Sequence, residues 1–327
     1  MYSKYLVSVL VILMIGFIPY QAFAQCFASA GNPVGGSANL GVMDQHALRV
    51  IAFYRYHTAS RYFEGDELYE GTVGRLYGSA NYNYLGTLIA FGLAPKLTTE
   101  LETGYYLNKT TYDLTNKLSE RGYGLSNALI SLKYALYQNP DKHFEITGAA
   151  GVNLPYKREF QKVDGIQLSE DVQPSLAAYG LVFQSFMIKQ NSFKSIRYFW
   201  INRFEKNFRN PKGIVYGSAF NSSLFFSRHF VFGQGALKDW TLITQLRYQE
   251  KWQNINRESG VTVAASGNRM LLFAPQVNCS INEKWNVSFL YEIPVYQYYH
   301  SIQLGADHAF LINVARDFNL TKKTVQQ

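Results

Sequence analysis

Alternation between apolar and polar residues is the dominant pattern of this chain beyond its first 45 residues. From Leu97 to Leu107 every second residue is leucine, threonine or tyrosine, while Glu100 and Glu102 lie on the positions between them. The segment that begins at Trp240 repeats this alternation, with glutamine and arginine on its second face. Because successive side chains of a β-strand point to opposite faces, a period of two predicts strands with one apolar and one polar face.

Further segments follow the same rule with varying clarity, and together they predict about twelve strands. The additional segments lie near residues 47–57, 82–93, 127–136, 144–154, 175–187, 195–205, 213–226, 268–279, 285–293 and 308–320. No stretch beyond Leu97 approaches the roughly 18 consecutive apolar residues that a membrane-spanning helix needs. The alternation therefore favours an all-β fold over a helical membrane protein.

The connections between these segments alternate in length. Short connections are predicted at 94–96, 138–143, 188–194, 228–237 and 281–284, and longer ones at 58–79, 109–123, 156–172 and 253–266, with two intermediate ones near 206–212 and 297–304. Outer-membrane barrels alternate short periplasmic turns with longer external loops. The sequence thus predicts a closed antiparallel transmembrane β-barrel of about twelve strands, with both termini on the short-turn side.

Aromatic residues make up 16% of the chain, and on the apolar faces they fall near strand ends. Those near the short turns are Tyr134, Phe144, Trp240, Trp285 and Phe318, and those near the long loops are Tyr54, Tyr105, Tyr248 and Tyr291. Two such girdles are expected where a barrel meets the two membrane–water interfaces.

The N-terminal residues carry the features of a secretory signal. Lys4 precedes an apolar run from Leu6 to Ile18, and Ala22-Phe23-Ala24 has the small-x-small form of a cleavage site. We expect a signal peptide at 1–24, a periplasmic segment at 25–45 that is a candidate plug, the barrel at 46–320 and a tail at 321–327. The predicted location is the bacterial outer membrane.

Composition and charge limit the classes of partner that the protein is expected to bind. The chain is 47% apolar, which excludes a disordered protein, and its net charge of +8 is not gathered into a basic run, so nucleic acid is not expected as a partner. The expected partners are the lipid bilayer, lipopolysaccharide, the barrel-assembly machinery during insertion, and a small-molecule solute. Basic residues of the external loops, which could meet lipopolysaccharide phosphates or simply be solvated, are Lys157, Arg158, Lys162, Lys206, Arg209 and Lys212.

Charged and amide residues on the second face of the strands are candidates to line the barrel lumen. They are Glu100, Glu102, Lys133, Glu145, Arg197, Arg203, Gln245, Arg247, Gln249 and Glu292. A barrel of about twelve strands lies between small barrels filled by side chains and large barrels with an aqueous channel. Two interpretations remain open: a narrow polar path for small solutes, or an ion-paired lattice that fills the interior.

The two cysteines offer one further hypothesis. Cys26 begins the mature chain and Cys279 ends a predicted strand on the same side, in an oxidising compartment. A disulfide between them would tether the glycine-rich segment 31–37 beneath the lumen. Two separate thiols are the alternative.

Catalytic and metal motifs are absent from the sequence. The six histidines form no H-E-x-x-H pattern, and there is no G-x-S-x-G, P-loop or CxxC. We therefore expect no cofactor, no metal site and no enzymatic activity.

A set of short motifs resembles a known family. Gly124-Leu125-Ser126-Asn127-Ala128 runs into Leu132-Lys133-Tyr134, and Gly148, Gly151 and Leu154-Pro155 follow. These motifs resemble those of the outer-membrane transporter family of the MetA pathway of phenol degradation, over residues 80–320. The chain departs from that pattern at Tyr156-Lys157, where the family usually has Thr-Gly. The resemblance implies a barrel and a transport role but brings no established substrate residues.

The function expected from these observations is an outer-membrane channel for passive uptake or efflux of small solutes, with apolar or aromatic compounds among the candidates. The alternative is a structural or adhesive barrel whose lumen is closed and whose function lies in its loops.

Overall fold

The computed structural model of the protein describes residues 41–114, 119–281 and 285–320. Its strands are β1 (Ala47–Gly65), β2 (Glu67–Leu68), β3 (Tyr77–Ala94), β4 (Leu97–Asp113), β5 (Ser119–Leu125), β6 (Ala128–Asn139), β7 (Phe144–Leu154), β8 (Lys162–Val163), β9 (Ile166–Gln167), β10 (Gly180–Asn191), β11 (Ile196–Asn207), β12 (Ile214–Val215), β13 (Ala219–Val231), β14 (Asp239–Lys251), β15 (Ile255–Asn256), β16 (Asn268–Ile281) and β17 (Trp285–Asn319). A single 3₁₀ turn, Glu170–Val172, is the one helical element in these residues.

The long strands form one antiparallel sheet that closes on itself. Its order is β17-β16-β14-β13-β11-β10-β7-β6-β4-β3-β1, and β1 pairs in turn with β17. β5 pairs with β4 and continues the line of β6 after a break at Ser126 and Asn127. Closure leaves no strand edge to lipid, where unpaired backbone groups would cost several kcal/mol each.

The last strand element crosses the membrane twice. Residues 285–299 pair antiparallel with β16, whereas residues 299–319 pair antiparallel with β1. A strand of 35 residues would be roughly 115 Å long if straight, several times the thickness of a bilayer. β17 therefore reverses near residues 300–303 into a first arm (285–299) and a second arm (303–319). The eleven elements of the closed sheet thus give twelve crossing segments, in agreement with the predicted count.

The outer wall is apolar and the interior is polar, as the alternation predicted. On β6, Ile130, Leu132 and Tyr134 are 45%, 52% and 49% exposed, whereas Lys133 between them is fully buried. The same contrast separates Leu246 from Arg247 on β14. In a soluble protein the exposed face would be the polar one. A closed barrel with an apolar exterior is instead the arrangement that a lipid environment requires.

The strands extend farther on the long-loop side than the sequence suggested. β1 continues to Gly65, β3 begins at Tyr77, and β5 lies inside the predicted loop 109–123. The predicted connection 297–304 is shorter than expected, because strand pairing enters it from both sides and leaves only the reversal near residues 300–303. Beyond the apolar belt the outward positions become polar, so the contrast that marks a strand disappears while the backbone pairing continues. On this outer wall Asn108 Nδ2 donates to Asn81 Oδ1 at 2.8 Å.

Strands β10 and β13 begin about five residues later than predicted, at Gly180 and Ala219. The residues before β10 were taken as strand because they are apolar, but Ala177 and Ala178 are buried in a loop that folds inward. Among the described residues no helix is long and apolar enough to span a membrane. The predicted signal peptide, residues 25–40 of the candidate plug, Cys26 and the tail at 321–327 lie outside the described residues.

Candidate functional site in the barrel lumen

A buried ion pair lies on the luminal face of β4 and β6. Lys133 Nζ is 2.5 Å from Glu100 Oε1, and the lysine side chain is fully buried. The same ammonium group lies 4.2 Å from the centre of the Phe186 ring on β10. Because β4 and β6 are adjacent, this pair lines one wall and does not cross the lumen.

A second cluster crosses the lumen. Arg203 of β11 contacts its own-strand neighbour Glu205 at 2.6 Å and Glu102 of β4 at 3.2 Å. β11 and β4 are four steps apart around the twelve crossing segments, so the Arg203–Glu102 contact spans the interior as a chord. All three side chains are less than 10% exposed. This contact, which we call the cross-lumen bridge, is a physical barrier to solute passage.

A third cluster lies on the facing wall. Glu292 of β17 accepts from Arg55 of β1 at 2.7 Å and from Arg247 of β14 at 2.5 Å. Arg55 Nε also donates to the hydroxyl of Tyr82 at 3.1 Å. Each buried carboxylate thus faces at least one guanidinium or ammonium group, as charges removed from water must.

A central cavity separates these clusters. Its polar lining residues are Glu100, Glu102, Lys133, Gln184, Arg203, Asn221, Ser223 and Arg247, its apolar ones are Ile51, Phe53, Leu88, Phe186 and Ile201, and it encloses about 70 Å³. That volume exceeds the roughly 10–15 Å³ that one water molecule needs, but it is about half the roughly 150 Å³ of an apolar cavity that binds benzene. The lumen is therefore closed at this level.

A larger vestibule of about 630 Å³ opens on the short-turn side. Its lining is mainly polar and includes Arg49, Arg197, His229, Asp239 and Asp317. Between the vestibule and the central cavity lies an apolar collar, in which the rings of Phe199 and Phe225 stack at 4.5 Å and pack with Ile243. A solute entering from the short-turn side would meet a polar mouth, then this collar, then the charged clusters.

The residues just before β1 fold into the short-turn end of the lumen. Gly41 and Met43 are buried, and the Met43 amide donates to Thr98 Oγ1 at 2.8 Å. A side chain at Gly92 would place its Cβ 2.0 Å from the carbonyl oxygen of Asp44, so only glycine permits this close approach. Glu145, whose Oε1 accepts from Thr147, lies beside Gly41.

Tyrosines fill the long-loop half of the lumen on the β1, β3 and β4 side. Tyr82, Tyr84 and Tyr106 form one contact cluster with ring centroids 4.8 to 5.8 Å apart, and Tyr62 and Phe53 belong to the same core. The girdles on the outer wall thus account for only part of the aromatic content. This luminal set was not predicted.

Residues 155–179, which we call the mouth loop, fold into the long-loop end of the barrel. Asn127 Nδ2 donates to the carbonyl of Ala178, and Ser175 Oγ donates to Asn127 Oδ1. The Val172 carbonyl approaches so closely that a Cβ at Gly122 would lie 1.8 Å from its oxygen. The break between β5 and β6 at Ser126 and Asn127 therefore supplies the polar groups that hold the loop.

Asp171 of the mouth loop is buried among charged residues of the barrel. It interacts electrostatically with Lys109 of β4 and Lys251 of β14, and the Lys109 ammonium donates to the Gln173 carbonyl at 3.1 Å. Burial raises the pKa of Asp171 to about 7, although the two lysines act in the opposite direction. Glu170 and Glu120 also lie near and contribute to the rise.

The structure places most of the sequence-predicted lumen residues inside the barrel. Those that are buried are Glu100, Glu102, Lys133, Arg203, Gln245, Arg247, Gln249 and Glu292. Glu145 is half-buried near the short-turn end, and Arg197 is exposed in the vestibule. The sequence interpretation missed the partners Arg55, Glu205, Lys109, Lys251 and Asp171. Glu205 could have been found, because it lies two residues after Arg203 and therefore on the same face.

Cys279 is buried and unpaired among the described residues. Cys279 and Val277 are two positions apart on β16, so the Cys279 side chain points to the same face as that of Val277, which is the outer wall. The disulfide with Cys26 stays a prediction. Peptide mapping without reductant tests it, and recovery of both cysteines as unlinked peptides would contradict it.

The comparisons with known proteins identify the fold. No protein-family model and no curated protein matches the chain. An outer membrane channel from Pseudomonas putida F1 superposes with a TM-score of 0.64 at 10% identity, covering 86% of this chain and 99% of that one. The β domain of the Bordetella autotransporter BrkA gives a TM-score of 0.47 at 9% identity, covering 84% of this chain and 100% of that one. The resemblance to the MetA-pathway family is not confirmed.

The fold, the closed sheet and the apolar outer wall together identify the protein as a β-barrel of the bacterial outer membrane. The apolar band on its wall matches what the hydrocarbon core of a bilayer requires.

Proposed function

We propose that the protein is a channel for passive passage of small solutes across the outer membrane, and that the conformation described here is its closed state. The observation that carries this proposal is the polar and charged lining of the lumen, which contains a vestibule of about 630 Å³ and a smaller cavity of about 70 Å³ behind it. Small polar solutes suit this lining better than apolar ones. The apolar collar and the luminal tyrosines are the features that favour aromatic compounds.

The charge content of the lumen supports a channel over a filled scaffold. Replacing buried ion pairs by well-packed apolar side chains is often neutral or stabilising. A barrel that needed only a solid interior would gain nothing from the clusters around Lys133, Arg203 and Glu292. Charged groups that exchange partners can, in contrast, separate to admit a hydrated solute and then close again.

The second candidate function is a structural or adhesive barrel whose activity lies in its loops. It is favoured by one specific observation: the lumen is blocked both at the cross-lumen bridge and by the mouth loop. Under this alternative the lumen never opens. Neither candidate requires a catalytic step.

Conductance of the refolded protein in planar bilayers distinguishes the two. The channel predicts discrete single-channel steps, and it predicts uptake of small solutes into liposomes that contain the folded barrel. Electrophoretic mobility with and without heating confirms that the barrel is folded in each preparation. Absence of both steps and uptake from folded protein would overturn the channel proposal in favour of the closed scaffold.

A further inference from the structure

Two buried lysines approach the barrel axis from opposite walls at the long-loop mouth. Lys109 lies on β4 and Lys251 ends β14, and both are less than 5% exposed. From β4 to β14 there are six steps around the closed sheet in either direction when both arms of β17 are counted. The lysines therefore project from diametrically opposite positions. Two like charges directed at the same space repel each other unless an anion lies between them.

A carboxylate from the mouth loop is buried close to both lysines. Asp171 is 6% exposed, the Lys109 ammonium donates to the carbonyl of Gln173 two residues further on at 3.1 Å, and Asp171 interacts electrostatically with Lys109 and Lys251. One of its oxygens, Oδ1, is buried without a hydrogen-bond partner among the described residues. The loop itself is held by the contacts of Asn127 with Ser175 and Ala178, and also by a bond from the Ser169 amide to Glu120 and one from Lys109 to the Gln173 carbonyl. The carboxylate thus fills a cationic site without being firmly bonded in it.

We propose that Lys109 and Lys251 form a binding site for the carboxylate group of small organic acids, and that Asp171 occupies this site as an internal ligand while the channel is closed. The inference rests on the proposed channel function and names a substrate class for it. A carboxylate solute arriving from outside replaces Asp171 between the lysines, and the mouth loop is then displaced.

The balance of charges supports this direction of exchange. Displacement of the loop removes two acidic groups from the mouth, Asp171 and Glu170, and leaves both lysines with Glu120 and Glu205, so the site becomes more positive. The nearby acids Glu120 and Glu170 belong to β5 and to the mouth loop respectively, and Tyr77 begins β3. Displacement of the loop lets water into the site. Burial disfavours the ionised form of Asp171 in the closed channel, but it no longer disfavours a carboxylate bound in the hydrated site.

Uptake of matched solutes into liposomes tests the site. Acetate and acetamide have nearly the same size and differ in charge. We expect wild-type protein to admit acetate faster than acetamide, and K109Q/K251Q to lower acetate uptake roughly fivefold while acetamide uptake changes little. The control K157Q/K162Q removes the same charge from exposed positions of the mouth loop. Equal effects of the two double variants on acetate uptake would overturn the inference and leave the channel function standing.

Binding to the loop variant D171A gives a readout that does not depend on transport. The substitution leaves a space the size of a carboxylate between the lysines while the contacts of Asn127 keep the loop in place. Isothermal titration should show saturable acetate binding to folded D171A and a loss of that binding in D171A/K109Q. Absence of acetate binding to D171A would overturn the carboxylate site, whereas binding without any uptake in any variant would refute the channel and retain the site.

Discussion

The cross-lumen bridge can be tested by two substitutions that carry the same change in charge. Arg203 has two carboxylate partners, Glu102 across the lumen and Glu205 on its own strand. Glu102→Gln weakens the contact that spans the interior and leaves Arg203 paired with Glu205 at 2.6 Å. Glu205→Gln weakens the local contact and leaves the bridge in place. If the bridge closes the lumen, the first variant opens the channel more than the second.

The expected size follows from the geometry. Two unit charges 3.2 Å apart attract by about 5 kcal/mol at an effective dielectric constant near 20, which is an upper limit for the bridge. Water returns part of that energy when the groups separate, so the net contribution of a charged hydrogen bond is about 1.5–3 kcal/mol. Glu102→Gln should therefore raise the open probability by roughly 10- to 150-fold. Folding should be preserved, because the variant leaves no buried arginine without a carboxylate.

Single-channel recording in planar bilayers measures this difference. The recordings should be made in salt near 0.15 M. At 1 M the electrostatic screening length falls from about 8 Å to about 3 Å, and this stronger screening would mask the electrostatic contribution. The open probability of Glu102→Gln is compared with that of Glu205→Gln and of wild type at the same voltage. Equal open probabilities for the two variants would refute the reasoning, since both remove one negative charge from the same cluster.

Three further outcomes follow from individual contacts. Lys133→Met leaves Glu100 buried without its 2.5 Å partner and should destabilise the barrel by about 3–5 kcal/mol in urea unfolding, most of which E100Q/K133M should restore. Gly92→Ala places a methyl group against the Asp44 carbonyl and should expel the residues before β1 from the lumen, which limited proteolysis from the short-turn side detects as new cleavage. Burial raises the pKa of Asp171 from 3.8 to about 7, so between these values the docked loop holds a proton that the displaced loop releases; docking should weaken and conductance rise as pH increases from 3.8 to about 7, and both should level off above 7, where docked Asp171 is the carboxylate near the lysines. D171N should abolish that pH dependence.

The alternation of residues was sufficient to predict the barrel and which face of each strand is apolar. In the middle of β6 and β14 the outward positions are mainly apolar, and the charged residues Lys133 and Arg247 are inward. This contrast is local in sequence, because it comes from the lipid on one side and from buried partners on the other. The limits of the strands were less predictable. Where β1, β3 and β4 rise above the lipid, both faces are polar or aromatic, so no contrast marks the residues that remain paired.

An ion-paired interior was one of the two interpretations left open, but the contacts that close the lumen could not be predicted, because they join residues that are far apart in the chain. Glu102 and Arg203 are 101 positions apart in the chain, and Arg55 and Glu292 are 237 positions apart. Which inward charges meet depends on the number of strands and on their register, and neither is fixed by the parity of a residue. The position of Asp171 was hidden for a different reason. Its loop has no periodicity, and its inward fold depends on Asn127 at a break between two strands.

The two closures lie in series along the same path. Glu102 and Lys109 are seven residues apart on β4, which separates the cross-lumen bridge from the mouth site by roughly 23 Å of strand. At that distance, with no shared partner, their opening free energies should add, so that the probability of a continuous path is the product of two separate probabilities. A change in the opening free energy of either barrier therefore multiplies the conductance by its own factor and does not alter the other barrier. The closed lumen described here is therefore compatible with a channel that conducts rarely until a solute displaces the mouth loop.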